Sequence, residues 1–156
     1  MWKGSYGVFY PKYPAQPQAK AYADVAKPVA ELRPVIDFEV LGGVDPKTAA
    51  DRALDYIKAT EDAWGCACIF YSYPAFISVL ETANATTMQA IASRCDLWLA
   101  QYTTWANPSV PMPWKAWRAW QFDGDKGLTL PSGTDCDFSW FNGDEVDFLA
   151  RWKRNP

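Results

Sequence analysis

Between residues 4 and 102, short apolar runs rich in β-branched and aromatic residues alternate with longer stretches whose apolar residues recur at helical spacing. No other feature constrains the fold so strongly. A strand, a covering helix and a further strand build a parallel sheet with helices on its face. Strands are read over residues 4–10, 34–41, 68–73 and 97–102, and helices over 16–26, 45–65, 74–80 and 86–94. Asp45 before Pro46 is an N-cap signal and Gly65 a C-terminal stop. Later come short strands over 116–122 and 136–141, then a tail helix over 143–153 with acid in its first turn and base in its last. The expected class is α/β. Its architecture is an incomplete or modified TIM-like barrel, mostly parallel strands with helices outside, the later strands having few helices. A closed eight-stranded barrel takes about 200–250 residues, whereas these 156 residues supply fewer strands. The chain is read as a single domain over 1–156 whose barrel is open or completed from elsewhere.

Composition narrows the chemistry. The chain has no histidine, which excludes Ser-His-Asp and Cys-His nucleophile systems, the His-Glu-x-x-His zinc site and any imidazole base. A formal charge of −3 without a basic cluster argues against a nucleic-acid partner. No run reaches transmembrane length and no signal peptide is visible at residues 1–12, so no membrane insertion is expected. Cys66, Cys68, Cys95 and Cys136 make neither a zinc pattern nor a Cys-x-x-Cys motif. Cys66 and Cys68, two apart, would point the same way in a strand and either could bridge Cys95, but free thiols of a chain made in a reducing cytosol are the expectation. No metal or cofactor is implied.

Aromatic residues are abundant, 9 Trp, 8 Tyr and 8 Phe. Trp98, Trp105, Trp114, Trp117, Trp120 and Trp140 gather near Pro108, Pro111 and Pro113. Tryptophans at spacing three beside prolines read as a partly exposed aromatic surface, whose flat apolar rings with polar edges suit sugar rings, peptides or membrane interfaces.

The carboxylates carry the chemistry. Asp37 and Glu39 are two apart in an apolar strand, so both project from one face while Ile36 and Phe38 take the other. In a barrel they would point to the carboxyl-end mouth, where such folds keep their sites. Repulsion and burial would raise the pKa of at least one, which keeps a carboxylic acid protonated for proton donation. Asp137, beside Cys136 and Phe138, is the candidate from the last strand. Asp45, Asp123 and Asp125 read as cap and turn residues.

These residues carry a family resemblance. Pro34-Val-Ile-Asp-Phe-Glu39 resembles the Pro-Val-Leu-Asp-x-Glu strand of family 25 glycoside hydrolases, the lysozymes (N-acetylmuramidases) of phage endolysins and bacterial autolysins. Gly4-Ser-Tyr6 with Phe9 and Pro11, Ile69-Phe-Tyr71-Ser, Leu97-Trp98-Leu-Ala100-x-Tyr102, Trp120-Gln121-Phe122 and Asp137-Phe-Ser-x-Phe141 resemble further family motifs in the same order. The resemblance implies a muramidase cleaving between N-acetylmuramic acid and N-acetylglucosamine. It makes Glu39 the general acid, Asp37 a positioning or charge-stabilising carboxylate and Asp137 an assistant at the mouth. Tyr6, Tyr71, Trp98, Tyr102, Trp120 and Gln121 would line the sugar groove, with peptidoglycan glycan as partner. Such a chain would be made in the bacterial cytoplasm, from a phage or bacterial gene, and act at the cell wall. The family's opening strand with a further aspartate, and its second strand, have no counterpart. Gly7 stands where the family has histidine, and Ser139 where it has asparagine. The expectation is therefore an N-terminally truncated domain, its barrel closed by self-association or a partner chain. The alternative is a non-catalytic peptidoglycan-binding or virion-associated module that kept the aromatic groove.

Overall fold

The computed structural model describes residues 2–129, 133 and 135–154. Local chemistry sets its elements: β1 (Tyr6–Val8), α1 (Ala15–Ala26), β2 (Val35–Asp37), α2 (Pro46–Trp64), β3 (Ile69–Ser72), α3 (Pro74–Ala83), α4 (Ala85–Arg94), β4 (Asp96–Ala100), β5 (Ala119–Thr129), β6 (Asp135–Phe141) and α5 (Glu145–Trp152). At the start of α2 the Asp45 carboxylate accepts from the Thr48 N–H at 2.9 Å, with Pro46 in the first turn. Gly65 ends the helix at φ 75°, a left-handed conformation that glycine adopts without penalty. Asn84 and Asp144 cap α4 and α5 in the same way as Asp45 caps α2.

The strands form one sheet in chain order, β1 to β6. Pairings from β1 through β5 are parallel, and β5–β6 is antiparallel. The sheet curls into a half-barrel with α1 to α4 outside, the incomplete TIM-like barrel expected. Among the described residues β1 and β6 are its edges. No helix among the described residues is long and apolar enough to cross a membrane.

Alternation along each strand sorts the side chains onto two faces. Ile36, Phe38, Phe70, Leu97 and Leu99 point outward into a core with Phe9, Ala49, Ala53, Tyr56, Ile57, Ile77, Leu80 and Ile91. Phe38 meets Phe9, Phe70 and Phe76 edge-on, with centroids 5.3, 6.4 and 4.9 Å apart. Gly7 belongs to this side. A Cβ there would lie 2.9 Å from the Tyr22 ring and from the Tyr56 hydroxyl, so glycine is what lets α1 and α2 approach the edge strand.

The concave side has its own small apolar floor. Val35, Ile69 and Ala119 pack with Trp152 of α5, flanked by Phe148, Phe141, Trp98 and Tyr71. Arg33 ties α5 in place, donating to the carbonyls of Arg151, Ala67 and Cys68 at 2.7, 2.7 and 2.8 Å.

Two sequence expectations change here. β5 does not stop at residue 122 but runs to Thr129 as one arm of a hairpin with β6, its register shifting on both sides of Asp123. Asp123, read as a turn residue, pairs with Phe138 inside the strand. The tryptophans also divide. Trp105 and Trp140 are exposed, whereas Trp114 and Trp120 are buried. Trp114 stacks on Phe70 at 5.2 Å and donates its indole N–H to the Cys95 carbonyl at 3.0 Å, so the proline-rich loop folds over the core. All four cysteines are free, and Cys68 and Cys95 are buried.

Candidate active site

Parallel strands pointing one way collect their carboxyl ends at one mouth, and loops there are the usual place for a site in this architecture. Position 37 ends β2, opposite Tyr71 of β3, which in turn lies opposite Trp98 of β4. Ala100 brings Gln121 of β5 alongside. One cavity of about 350 Å³ is lined by Tyr6, Val35, Asp37, Glu39, Tyr71, Trp98, Gln121, Asp137 and Ser139. Thus Asp37, Glu39 and Asp137 line a common cleft with Tyr6, Tyr71, Trp98 and Gln121.

The other two residues named for the groove lie elsewhere. Trp120 is on the opposite face of β5 from Gln121, where its indole N–H donates to the Gln101 carbonyl at 2.7 Å. Adjacent strand residues face opposite ways, so Trp120 and Gln121 do not share the cleft. Tyr102 stands at the rim, its hydroxyl close above Gly124 with an Asp137 carboxylate oxygen near the same point. It lines an adjoining cavity with Glu39, Tyr71, Tyr73, Ala100 and Gln101. Val35, Tyr73 and Ser139 are lining residues that sequence reasoning did not select. Tyr73 follows Tyr71, and Ser139 follows Asp137, at the spacing of two that marks a shared strand face, which is the signal that could have found them.

The cleft is braced by its own polar groups. The Tyr71 hydroxyl donates to Oε1 of Gln121, whose side chain is almost wholly buried. The Trp98 indole N–H donates to the Ser139 hydroxyl at 3.1 Å, linking β4 to β6 across the cleft. Beneath, the Ser72 hydroxyl donates to the Phe38 carbonyl at 2.6 Å, fixing the backbone between Asp37 and Glu39. Partial burial, with the charge of Glu39 adding to it, pushes the Asp37 carboxyl up to about 6. Burial raises Glu39 above the usual carboxylate range. Tyr71, facing these acids, is also raised, chiefly by burial and then by Glu39. The repulsion between the two acids therefore acts on Asp37, the more deeply set of the pair. The pair can hold one proton in mildly acidic solution, so one group can donate while the other is a carboxylate. Among the described residues no group of three or more His, Cys, Asp or Glu is arranged to hold a metal ion.

Comparison with known proteins gives this geometry a context. The sequence model of the glycosyl hydrolases family 25 matches residues 2–129. The fold is similar to the bacterial lysozyme from Streptomyces coelicolor, with a TM-score of 0.77, 20% identity, and coverage of 94% of this chain and 70% of that one. A muramidase from Acremonium alcalophilum aligns with a TM-score of 0.73 at 20% identity, covering 94% and 71% of the two chains. A family 25 glycosyl hydrolase from Bacillus anthracis aligns at 0.71 and 20%, covering 95% and 67%. At such identities the likeness is one of fold. No curated protein matches the sequence.

Proposed function

Because the chain belongs to glycosyl hydrolase family 25, we propose that it cleaves peptidoglycan glycan between N-acetylmuramic acid and N-acetylglucosamine, using Asp37, Glu39 and Asp137. The observation that carries this reading is the convergence of these three carboxylates with Tyr6, Tyr71, Trp98 and Gln121 on one cleft at the carboxyl ends of parallel strands. Aromatic walls give a sugar flat apolar faces, and the carboxylates and Gln121 meet its polar groups. With the pair's shared proton passed from Asp37 to Glu39 as substrate fills the cleft, Glu39 donates to the glycosidic oxygen as the bond to the anomeric carbon breaks, and the leaving sugar departs with a new hydroxyl. The Asp37 carboxylate faces the positive charge that develops on the sugar left behind. A water then adds to the anomeric carbon and its proton returns to Glu39. Asp137 holds the substrate at the mouth. Family membership does not favour the reading of a non-catalytic binding module.

The experiment is digestion of purified bacterial peptidoglycan, with borohydride reduction and mass spectrometry of the soluble products. Products with reduced muramic acid at their new ends are expected. Reduced glucosamine ends, or no release from walls that the chain demonstrably binds, would refute the reading.

A further inference from the structure

The chemistry proposed above uses one face of the β5–β6 hairpin. Gln121, Asp137 and Ser139 line the cleft, and Phe141 lies on the same side, edge-on to Trp152. The residues between them point the other way. Trp120 pairs with Trp140 and Asp123 with Phe138, and cross-strand partners share a face. Phe122 falls in the register shift between Gln121 and Asp123, and its ring meets those of both Phe138 and Trp140. The far face of the hairpin thus carries a second group of rings that the cleft chemistry does not use.

These rings are braced. Phe122 is nearly parallel to Phe138 and to Trp140, at interplanar angles of 21° and 22° and centroid distances of 6.1 and 5.6 Å. Trp120 meets Phe122 edge-on at 5.8 Å and Trp117 at 6.2 Å. Trp120 is itself buried, its indole N–H held by the Gln101 carbonyl at 2.7 Å. The row is therefore rooted in the molecule at one end. At the other it opens to solvent, where Phe138 and Trp140 are 37% and 61% exposed. Rings fixed in this way lose little freedom when a ligand covers them.

The charge beside the rings narrows the ligand. Asp123 shares their face, and neither 119–124 nor 135–141 contains a Lys or Arg. An anionic lipid surface is held by clustered cations, which these segments lack. Flat rings beside a carboxylate fit a neutral sugar, whose C–H face stacks while its hydroxyls donate to the acid. We infer that the outer face of the hairpin binds a second, neighbouring glycan strand of the cell wall through its N-acetylglucosamine units, with Trp140 as the main platform. The identity of this ligand rests on the hydrolase reading above. Peptidoglycan is a meshwork, so a molecule whose cleft holds one strand has others within reach of its opposite face. A second contact keeps it on the insoluble wall by effective concentration and leaves bond cleavage untouched.

Insoluble and soluble substrates separate the two faces. In the Glu39→Gln background, binding to purified peptidoglycan is read by co-sedimentation. In the parent background, cleavage is read on the dimer of N-acetylglucosaminyl-N-acetylmuramic acid. The stiff β-1,4 chain of this tetrasaccharide cannot lie in the cleft and also turn over the edge strand. Trp140→Leu, which keeps an apolar side chain without a flat ring, weakens sedimentation by about tenfold and leaves tetrasaccharide turnover unchanged. Trp140→Tyr retains binding. Unchanged sedimentation of Trp140→Leu, or an equal loss of its tetrasaccharide turnover, would overturn the outer site. So would light scattering that shows a parent dimer and a Trp140→Leu monomer, since a second copy would then cover the rings. Retention of the parent, but not of Trp140→Leu, on phosphatidylcholine vesicles would overturn it in favour of a membrane. A parent that binds peptidoglycan through Trp140 yet leaves the tetrasaccharide uncut would overturn the hydrolase reading and keep the outer site.

Discussion

The two faces of the sheet obey opposite rules, and β2 with the residues that follow it carries both. Ile36 and Phe38 are wholly buried under the helices, whereas Asp37 and Glu39, interleaved with them, line an open cleft. The outer face is closed by shape, ring against ring and helix against Gly7. On the inner face, carboxylates raised above their usual range stand in a cavity that their own chain leaves unfilled. Stability and chemistry are thus written into one segment at alternate positions, and substitutions one residue apart should fail in different ways.

The sharpest such contrast is Glu39→Gln against Phe38→Ala. On the proposed mechanism Glu39→Gln removes the proton donor, and turnover on peptidoglycan is expected to fall by about 10²–10⁴-fold. The melting temperature stays at or above that of the parent, because a raised carboxyl is replaced by a neutral amide. Phe38→Ala empties the space between Phe9, Phe70 and Phe76 and costs about 3–5 kcal/mol of stability, read by denaturant unfolding. A Glu39→Gln chain that unfolds as easily as Phe38→Ala would abolish the distinction between the faces. Gly7→Ala probes the outer rule more gently. Its Cβ would press on Tyr22 and Tyr56 at 2.9 Å, so a loss of about 1–3 kcal/mol is expected, with turnover per folded molecule unchanged.

The outer face was the easier half to read from sequence. Helix caps, apolar stripes and alternating strands are local signals, and Asp45, Gly65 and the 34–39 segment announced both the parallel layout and the paired acids. The hairpin was harder. Asp123-Gly124-Asp125 has turn composition, yet the chain continues as β5 because β6 pairs with it across shifted registers, a non-local fact. The prolines around Trp114 suggest a partly exposed aromatic surface, but stacking on Phe70 and a bond to the Cys95 carbonyl draw the loop inward. Within the cleft, Asp37 and Glu39 were legible from spacing alone. Assigning both Trp120 and Gln121 to the groove neglected the same alternation, and the cavity beyond Glu39 depends on where the ends of β3 and β4 meet, which no short motif encodes.

The smallest expected effect bears on the inner face and turns on the sign of a linkage. Asp37 is raised to about 6 in the folded chain, chiefly by burial and further by Glu39, whereas an unfolded aspartate titrates near its ordinary value of 3.8. The folded state therefore binds this proton more tightly, and raising the pH from about 4 to about 6 must diminish stability. Asn at position 37 mimics the protonated form at every pH. Below about pH 4 the two chains should melt together, since Asp37 is neutral in both folded and unfolded states. Above pH 6 Asp37→Asn should be the more stable by about 1 kcal/mol, a value reduced for the solvent that reaches this half-open cleft. In a chain of this size that corresponds to about 2–4 °C in melting temperature. On the proposed mechanism the same pair of groups should set the pH profile of turnover, which would need one proton shared between Asp37 and Glu39. Activity should be highest on the acid side of neutrality, falling as the second group protonates and again as the shared proton is lost. An Asp37→Asn gain of equal size at pH 3.5 and pH 7.5 would place its cause in packing. A loss at pH 7.5 would mean that the carboxylate has a stabilising partner, and the inner face would then follow the same rule of satisfied contacts as the outer one.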